Sequence, residues 1–280
     1  MTSDLSREWN ESAPYWDKYR DIIRAMFMPL THALIEDAGI VKGQSVLDVA
    51  GGAGEPSLTI AEAVSPGGSV MCTDFAAEMV EAAKAAAARR GITNITFRQC
   101  SADALPFAND TFDVAVSRLG AMFFPDPIGA LREMLRVVKP GGSLGFVVWR
   151  AAEVNPFFSV TSQVVSRYVE PAPEEPDAPT AFRFAESGKL ARLLKEAGAA
   201  DVRERILKSD IAAPVALEDY WKMRSEISES LRSKLSGFSD AQKSHIANEV
   251  QSAAAPFFPN NQMNFPSETL IVTGRKAELT

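Results

Sequence analysis

From Ser45 to Trp149 short apolar runs alternate with segments of helical length, and little but one fold class satisfies that rhythm. Five runs read as buried strands: Ser45–Ala50, Ser69–Thr73, Asn94–Cys100, Phe112–Ser117 and Ser143–Trp149. The intervening helices read as Pro56–Val64, Ala76–Arg90 ended by Gly91, and Pro127–Val138 stopped by Lys139-Pro140-Gly141-Gly142. Apolar strands without polar alternation must be buried on both faces, so helices cover both sides of a parallel sheet. The expectation is an α/β, doubly wound, mostly parallel sheet.

The flanks break the rhythm. Residues 3–38 read as helical and carry Trp9, Tyr15, Trp16, Tyr19 and Phe27. After Arg150 the pattern gives a helix over Pro156–Tyr168 and a Pro- and acid-rich loop over Glu170–Thr180. A helix over Ser187–Ala197, a sixth strand over Val202–Ile211, helices filling Leu217–Ala254 and a last strand over Thr269–Arg275 follow. The long helical excursion before the last strand predicts that it runs antiparallel to the sixth. The organisation expected is a helical N-terminal cover (1–40), a ligand-binding Rossmann-like core (41–150), and a remainder (151–280) that completes the sheet. Insertions at about 151–180 and 214–262 join the cover, outside the strand C-termini where open α/β sheets bind ligands.

The segment Asp48-Val49-Ala50-Gly51-Gly52-Ala53-Gly54-Glu55-Pro56 joins the first strand to the first helix, where backbone must turn sharply against a ligand. Asp74 ends the second strand 20 residues after Gly54, the position from which a carboxylate accepts from ribose hydroxyls. Loop and acid together indicate an adenosine ligand. A dinucleotide is disfavoured: Ser57 stands where a third Gly or Ala is needed, Glu55 would repel a pyrophosphate, and Pro56 has no N–H to give. S-adenosylmethionine (SAM) has no phosphate, and its ammonium suits Asp48 and loop carbonyls. Asp103, in the turn after the third strand, could accept from the adenine amine or simply hold its turn.

Four stretches in order resemble class I SAM-dependent methyltransferases, particularly the ubiquinone/menaquinone biosynthesis methyltransferase-like group. They are VLDVAGGAG (46–54), CTDFAAEMVEAA (72–83), ADALPFANDTFDVAVS (102–117) and LREMLRVVKPGGSL (131–144), within about residues 45–150. The resemblance implies a seven-stranded sheet with SAM as cofactor and S-adenosylhomocysteine (SAH) as product. It implies cofactor contacts from Asp48, Ala50, Gly51, Gly52, Gly54, Asp74, Phe75, Met79, Ala102, Asp103, Ala104 and Ser117. SRLGAMFFPDP (117–127), VVWRAAEVNPFF (147–158) and residues 214–262 depart from the quinone enzymes. Those regions should cover the acceptor and leave its identity open; the apolar cover and the quinone-like core point to a small aromatic, quinone-like or polyketide-like molecule methylated on oxygen or carbon. A non-catalytic SAM- or adenosine-binding regulatory module is the alternative.

Methyl transfer asks the protein to align an acceptor and exclude water. Tyr15, Trp16, Tyr19, Arg118, Met122 and Phe158 are the acceptor-side candidates, and Phe123, Phe124, Phe157, Phe182 and Phe184 could extend an apolar wall. Arg118 would orient substrate, or pair with Asp126 or Glu133. Of the two histidines, His32 is the candidate catalytic base and His245 sits in a polar helical stretch; Asp17 and Glu55 are weaker candidates. No metal site is expected, and Cys72 and Cys100 read as small buried hydrophobes in a reducing compartment. A net charge of −7 with no basic patch argues against nucleic acid. The N-terminus does not read as a signal peptide and no run could span a membrane, so the expected location is the cytoplasm. The helical cover could support a homodimer.

Overall fold

The computed structural model describes residues 2–169 and 177–278. Its seven strands form one sheet in the order β3-β2-β1-β4-β5-β7-β6. They are β1 (Ser45–Val49), β2 (Ser69–Asp74), β3 (Ile95–Gln99), β4 (Phe112–Arg118), β5 (Val138–Trp149), β6 (Ala200–Ala213) and β7 (Met263–Arg275). β1 to β5 pair in parallel, while β7 runs antiparallel to both β5 and β6. The doubly wound, mostly parallel reading holds, and so does the antiparallel last strand.

Local chemistry explains the elements that frame the crevice. β1 and β4 are central strands, and Val46, Leu47, Val114, Ala115 and Val116 are fully buried, as sheet covered on both faces requires. Helix α3 (Ser57–Val64) leads back to β2, and α4 (Ala77–Arg90) to β3. α4 stops at Gly91, whose φ of 66° is the left-handed cap that glycine adopts without a Cβ clash. α5 (Pro127–Val137) starts on Asp126, whose side chain accepts from the Gly129 N–H at 3.0 Å, with Pro127 in the first turn.

The N-terminal tract is two helices, α1 (Thr2–Lys18) and α2 (Arg20–Asp37), broken at Tyr19. α6 (Pro156–Val165) ends three residues before the expected Tyr168, and α7 (Lys189–Glu196) follows. The expected loop over Glu170–Thr180 falls largely outside the described residues. The 214–262 excursion is three helices, α8 (Leu217–Ile227), α9 (Glu229–Leu235) and α10 (Asp240–Ala254). Ser228 caps α9, and Ser239 caps α10 in a reciprocal box with Gln242. β7 begins six residues before the expected Thr269 and passes through Pro266, pairing with nearly the whole of β6.

Asn155 ties this later part to the sheet. Fully buried, it donates to the Arg150, Ala151 and Glu268 carbonyls at 3.2, 3.0 and 3.1 Å and accepts from the Glu268 N–H at 3.0 Å. That fixes the turn from β5 into α6 against β7. Among the described residues no helix is long and apolar enough to cross a membrane.

Candidate functional site

At the C-terminal ends of β1, β2 and β4 lies a cavity of about 310 Å³. Its floor is the glycine loop. Ala50 and Gly52 take φ of 60° and 56°, and Gly54 takes 112°, left-handed conformations that only glycine adopts without strain. Gly51 is needed for close approach instead: a Cβ there would lie 2.7 Å from Cys72 Sγ and 2.9 Å from Asp48 Oδ2. Gly120, which follows β4, plays the same part from the other side, since a Cβ on it would meet Ala50 Cβ at 2.6 Å. The two loops touch where the strand order reverses, the crevice in which such sheets hold ligands.

Asp74 braces the loop. Its Oδ2 accepts from the Gly52 N–H at 3.0 Å and its Oδ1 from the Ala76 N–H at 2.9 Å. Burial pushes its carboxyl up to about 6 although these N–H bonds oppose the shift. Each oxygen keeps lone-pair capacity for a further donor. Asp48 lies beneath the loop, fully buried, accepting from Ser57 Oγ at 2.6 Å while Oδ1 has no partner. Burial, opposed by Ser57 and Arg118, pushes it up to about 7.

Of the residues expected to touch the cofactor, Ala50, Gly51, Gly52, Asp74, Phe75, Met79 and Ala102 line the cavity. Asp48, Gly54 and Ser117 sit behind this surface: Ser117 Oγ is buried and unpartnered, 2.8 Å from where a Gly120 Cβ would be. Asp103 and Ala104 are exposed beyond the lining, with Asp103 accepting from Ser101 Oγ. The helical cover supplies Trp9, Trp16, Arg20, Ile23 and Phe27, and the loop after β4 supplies Phe123, Phe124 and Pro125. Trp9 sits edge-on to both Trp16 and Phe123, with centroids 5.9 and 5.2 Å apart.

On the acceptor side the structure has Trp16, Arg118, Phe123 and Phe124 at the cavity and the other candidates away from its lining. His32 is exposed. The stripe Asp21, Ala25, Pro29, His32 and Glu36 is the outer face of α2, whereas Ile23, Met26, Phe27, Leu30 and Leu34 face inward. Tyr15 and Tyr19 turn toward the later helices: Tyr15 lies under the Arg232 guanidinium, and the Tyr19 hydroxyl donates to Glu226 at 2.7 Å. Met122 is fully buried core. Phe158 belongs to a second aromatic cluster with Trp149, Phe157 and Phe182. Phe184 is also buried away from the lining.

Arg118 pairs with neither expected acid. Asp126 caps α5, and Glu133 bonds Arg136. Arg118 is buried and donates to Thr31 Oγ1 at 2.6 Å, to the Phe27 carbonyl at 3.4 Å and to the Glu55 carbonyl at 2.9 Å. The Glu55 carboxylate is engaged elsewhere, by Arg90 at 2.5 Å, Arg24 at 3.3 Å and Thr59 at 2.7 Å. Sequence reading overlooked Gly120 and Trp9 as site residues. Trp9 was legible as a partner of Trp16 two helical turns on; nothing in the sequence distinguishes Gly120 from an ordinary turn glycine.

With this geometry in view, the comparisons with known proteins are decisive on family. A profile described as the ubiE/COQ5 methyltransferase family matches residues 10–174. The chain belongs to that family.

The demethylmenaquinone methyltransferase of Renibacterium salmoninarum is 32% identical over 220 residues, covering 75% of this chain and 90% of that protein. The uncharacterized protein Rv1405c of Mycobacterium tuberculosis is 40% identical over 131 residues, 47% of this chain and 46% of that protein. The chain thus spans about half the length of several curated relatives it matches. Among solved structures, the [4+2]-cyclase SpnF is 21% identical with a TM-score of 0.55, covering 97% of each chain. Phosphoethanolamine N-methyltransferase 2 of Haemonchus contortus, in complex with SAM, is 16% identical with a TM-score of 0.56, covering 94% of this chain and 57% of that one. At these identities the likeness is one of fold, and a fold shared with a cyclase leaves the reaction to be argued from the site.

Proposed function

We propose that this chain uses SAM to methylate an oxygen or carbon of a small aromatic, quinone-like or polyketide-like molecule. The observation that carries the reading is the braced glycine loop, with Asp74 beneath its rim and an apolar, aromatic-lidded cavity above it. The residues present fit the cofactor. Asp74 keeps acceptor capacity for ribose hydroxyls, and Phe75, Met79 and Ala102 offer an apolar slot of the kind an adenine ring fills. Gly51 and Gly52 let backbone approach closely. When bound, SAM supplies a methyl group whose bond to sulfur breaks with its electrons passing to sulfur, so the acceptor brings the lone pair.

The chain's own work is alignment and exclusion of water. Trp9, Trp16 and Phe123 form an aromatic wall, and aromatic faces stabilise a nearby sulfonium. No histidine or lysine is among the residues lining the cavity. Proton removal by a dedicated imidazole or amine is therefore not part of this reading. A regulatory SAM sensor would need only the lower half of the cavity, and the aromatic upper wall favours turnover.

The test is calorimetric titration with SAM, SAH and NAD. Micromolar binding of SAM and SAH with none of NAD is the expected result; binding of NAD, or no binding of SAH to folded protein, would overturn the cofactor assignment. A transfer assay with labelled methyl groups against phenols and hydroquinones then reads the acceptor.

A further inference from the structure

Arg118 is the cation this site leaves without an anion. Arg118 lines the cavity with its guanidinium buried, yet every hydrogen-bond acceptor it meets is neutral: the Thr31 hydroxyl and the Phe27 and Glu55 carbonyls. Among the described residues no carboxylate lies within ion-pairing distance of it, and its Nε has no partner. The face of Phe27, 5.6 Å away, gives only weak compensation. Buried charges are ordinarily paired, because desolvation disfavours them strongly otherwise.

The Glu55 and Asp48 charges reach Arg118 through space without an ion-pair contact, and burial outweighs them, holding its pKa below the usual arginine value. Glu55, from the glycine loop, is held by Arg24 and Arg90. Asp48, at the end of β1, is bonded to Ser57, and burial raises its carboxyl toward neutrality. Asp74, at the end of β2, is turned to the Gly52 and Ala76 N–H groups. Cys100, following β3, is pushed up to about 11 by burial and stays a thiol. From α2, Arg20 adds a second positive charge to the lining; it donates to the Asp17 carbonyl at 2.9 Å, and its contacts with the Asp17 and Asp21 carboxylates are long at 3.8 Å. The cavity wall between the loop after β4 and α2 thus carries two guanidinium groups among aromatic rings, while the Asp74 and Glu55 carboxylates of the lining are engaged by other partners.

We propose that Arg118 selects an acceptor in its ionised form, a phenolate or enolate, and holds the anionic oxygen at the cavity wall. This rests on the methyltransferase reading and deepens it. The ionised oxygen then supplies the electron pair required for the new bond, either directly from oxygen or, by conjugation, from the α or ortho carbon next to the carbon that bears it. Its proton has already gone to solvent, so no side chain need take it. That accounts for a cavity with an arginine and no imidazole.

A carboxylate on the cofactor could answer the same guanidinium, and the experiment separates the two sources. The full chain saturated with SAH is dialysed against 4-nitrophenol, largely ionised at mildly alkaline pH, and against 4-nitroanisole, its uncharged methyl ether. The expected result is at least about tenfold greater retention of the phenol, present as phenolate by its visible absorbance. In R118M that preference collapses while SAH affinity, read by calorimetry, stays within about threefold; in R118K, which keeps the charge, most of the preference survives. Equal retention of the two probes by the wild-type protein, at any level including none, overturns the proposal. So does a preference unchanged in R118M, or a loss of SAH affinity of tenfold or more in folded R118M, which would assign the arginine to the cofactor. Failure of the wild-type protein to bind SAH is the separate outcome that removes the methyltransferase reading itself.

Discussion

Replacing Asp48 with Asn should make the ligand-free protein more stable, and increasingly so as pH rises. Burial, against the opposing Ser57 bond and Arg118 charge, pushes the Asp48 carboxyl up to about 7, against about 3.9 in an unfolded chain. The difference is about three pK units, each about 1.4 kcal/mol, so ionised Asp48 costs the folded state about 4 kcal/mol at alkaline pH. The sign follows from proton counting. A carboxyl whose folded pKa is raised binds more protons folded than unfolded, so stability falls as pH climbs from about 4 to about 7 and is flat above that. Asn has no proton to lose, keeps the shape, and can still meet the Ser57 hydroxyl. Urea unfolding of both proteins across about pH 4.5 to about 8.5 reads the difference. The stability gap should widen by about 1.4 kcal/mol per pH unit until near pH 7, then level off. Asp74 titrates in both proteins and largely cancels. A gap that does not vary with pH would refute the account of Asp48 as a buried, under-partnered carboxylate.

Asp74, pushed up to about 6 by burial, should bind a ribose best when ionised. SAH affinity measured by calorimetry should therefore fall about tenfold per unit below pH 6, and Asp74→Ala should weaken it by more than about 1.4 kcal/mol at neutral pH. Gly120→Ala drives a methyl into Ala50, whose Cβ would be 2.6 Å away; a stability loss of about 1–3 kcal/mol with weakened SAH binding is expected from unfolding and titration together. Asn155→Ala strands a Glu268 N–H and three carbonyls and should cost about 2–4 kcal/mol by urea unfolding, with little change in SAH affinity. Trp9 and Trp16 line the cavity whereas Trp149 and Trp221 do not. A change in tryptophan emission on adding SAH should thus vanish in the W9F/W16F protein and persist in W221F.

The sheet and the glycine loop were legible because their causes are local. A strand buried on both faces spells itself in consecutive apolar residues, and a loop needing close backbone approach spells itself in glycine. The α9 and α10 caps were equally present as Ser228 and Ser239, but in a polar stretch they mark helix starts only once something packs beside them. The acceptor side failed differently. Whether Tyr15 or Trp16 faces the cavity depends on the rotation of α1 against α4 and α8, which no local pattern fixes. His32 sits next to buried Thr31 in sequence, and one residue's turn of α2 takes it to solvent. Met122 and Phe158 are apolar in an apolar region, so sequence could not tell lining from core.

The buried polar atoms left without partners carry the same division. Among the described residues, Asp48 Oδ1, Ser117 Oγ, Arg118 Nε and Trp16 Nε1 are four of eight such side-chain atoms. Asp48 and Ser117 lie behind the cavity lining, while Arg118 and Trp16 form part of it. A folded protein leaves few buried groups unpaired, because each costs about 1–3 kcal/mol. A stable core would have replaced Asp48 and Arg118 with apolar residues of similar size, usually at no loss. Their clustering at the C-terminal ends of β1 and β4 puts under-partnered polar groups where ligands are expected. If a ligand partners them, ligand affinity and ligand-induced stabilisation should rise together. The D48N protein, with that deficit partly removed beforehand, should gain less stability from saturating SAH than the wild type does.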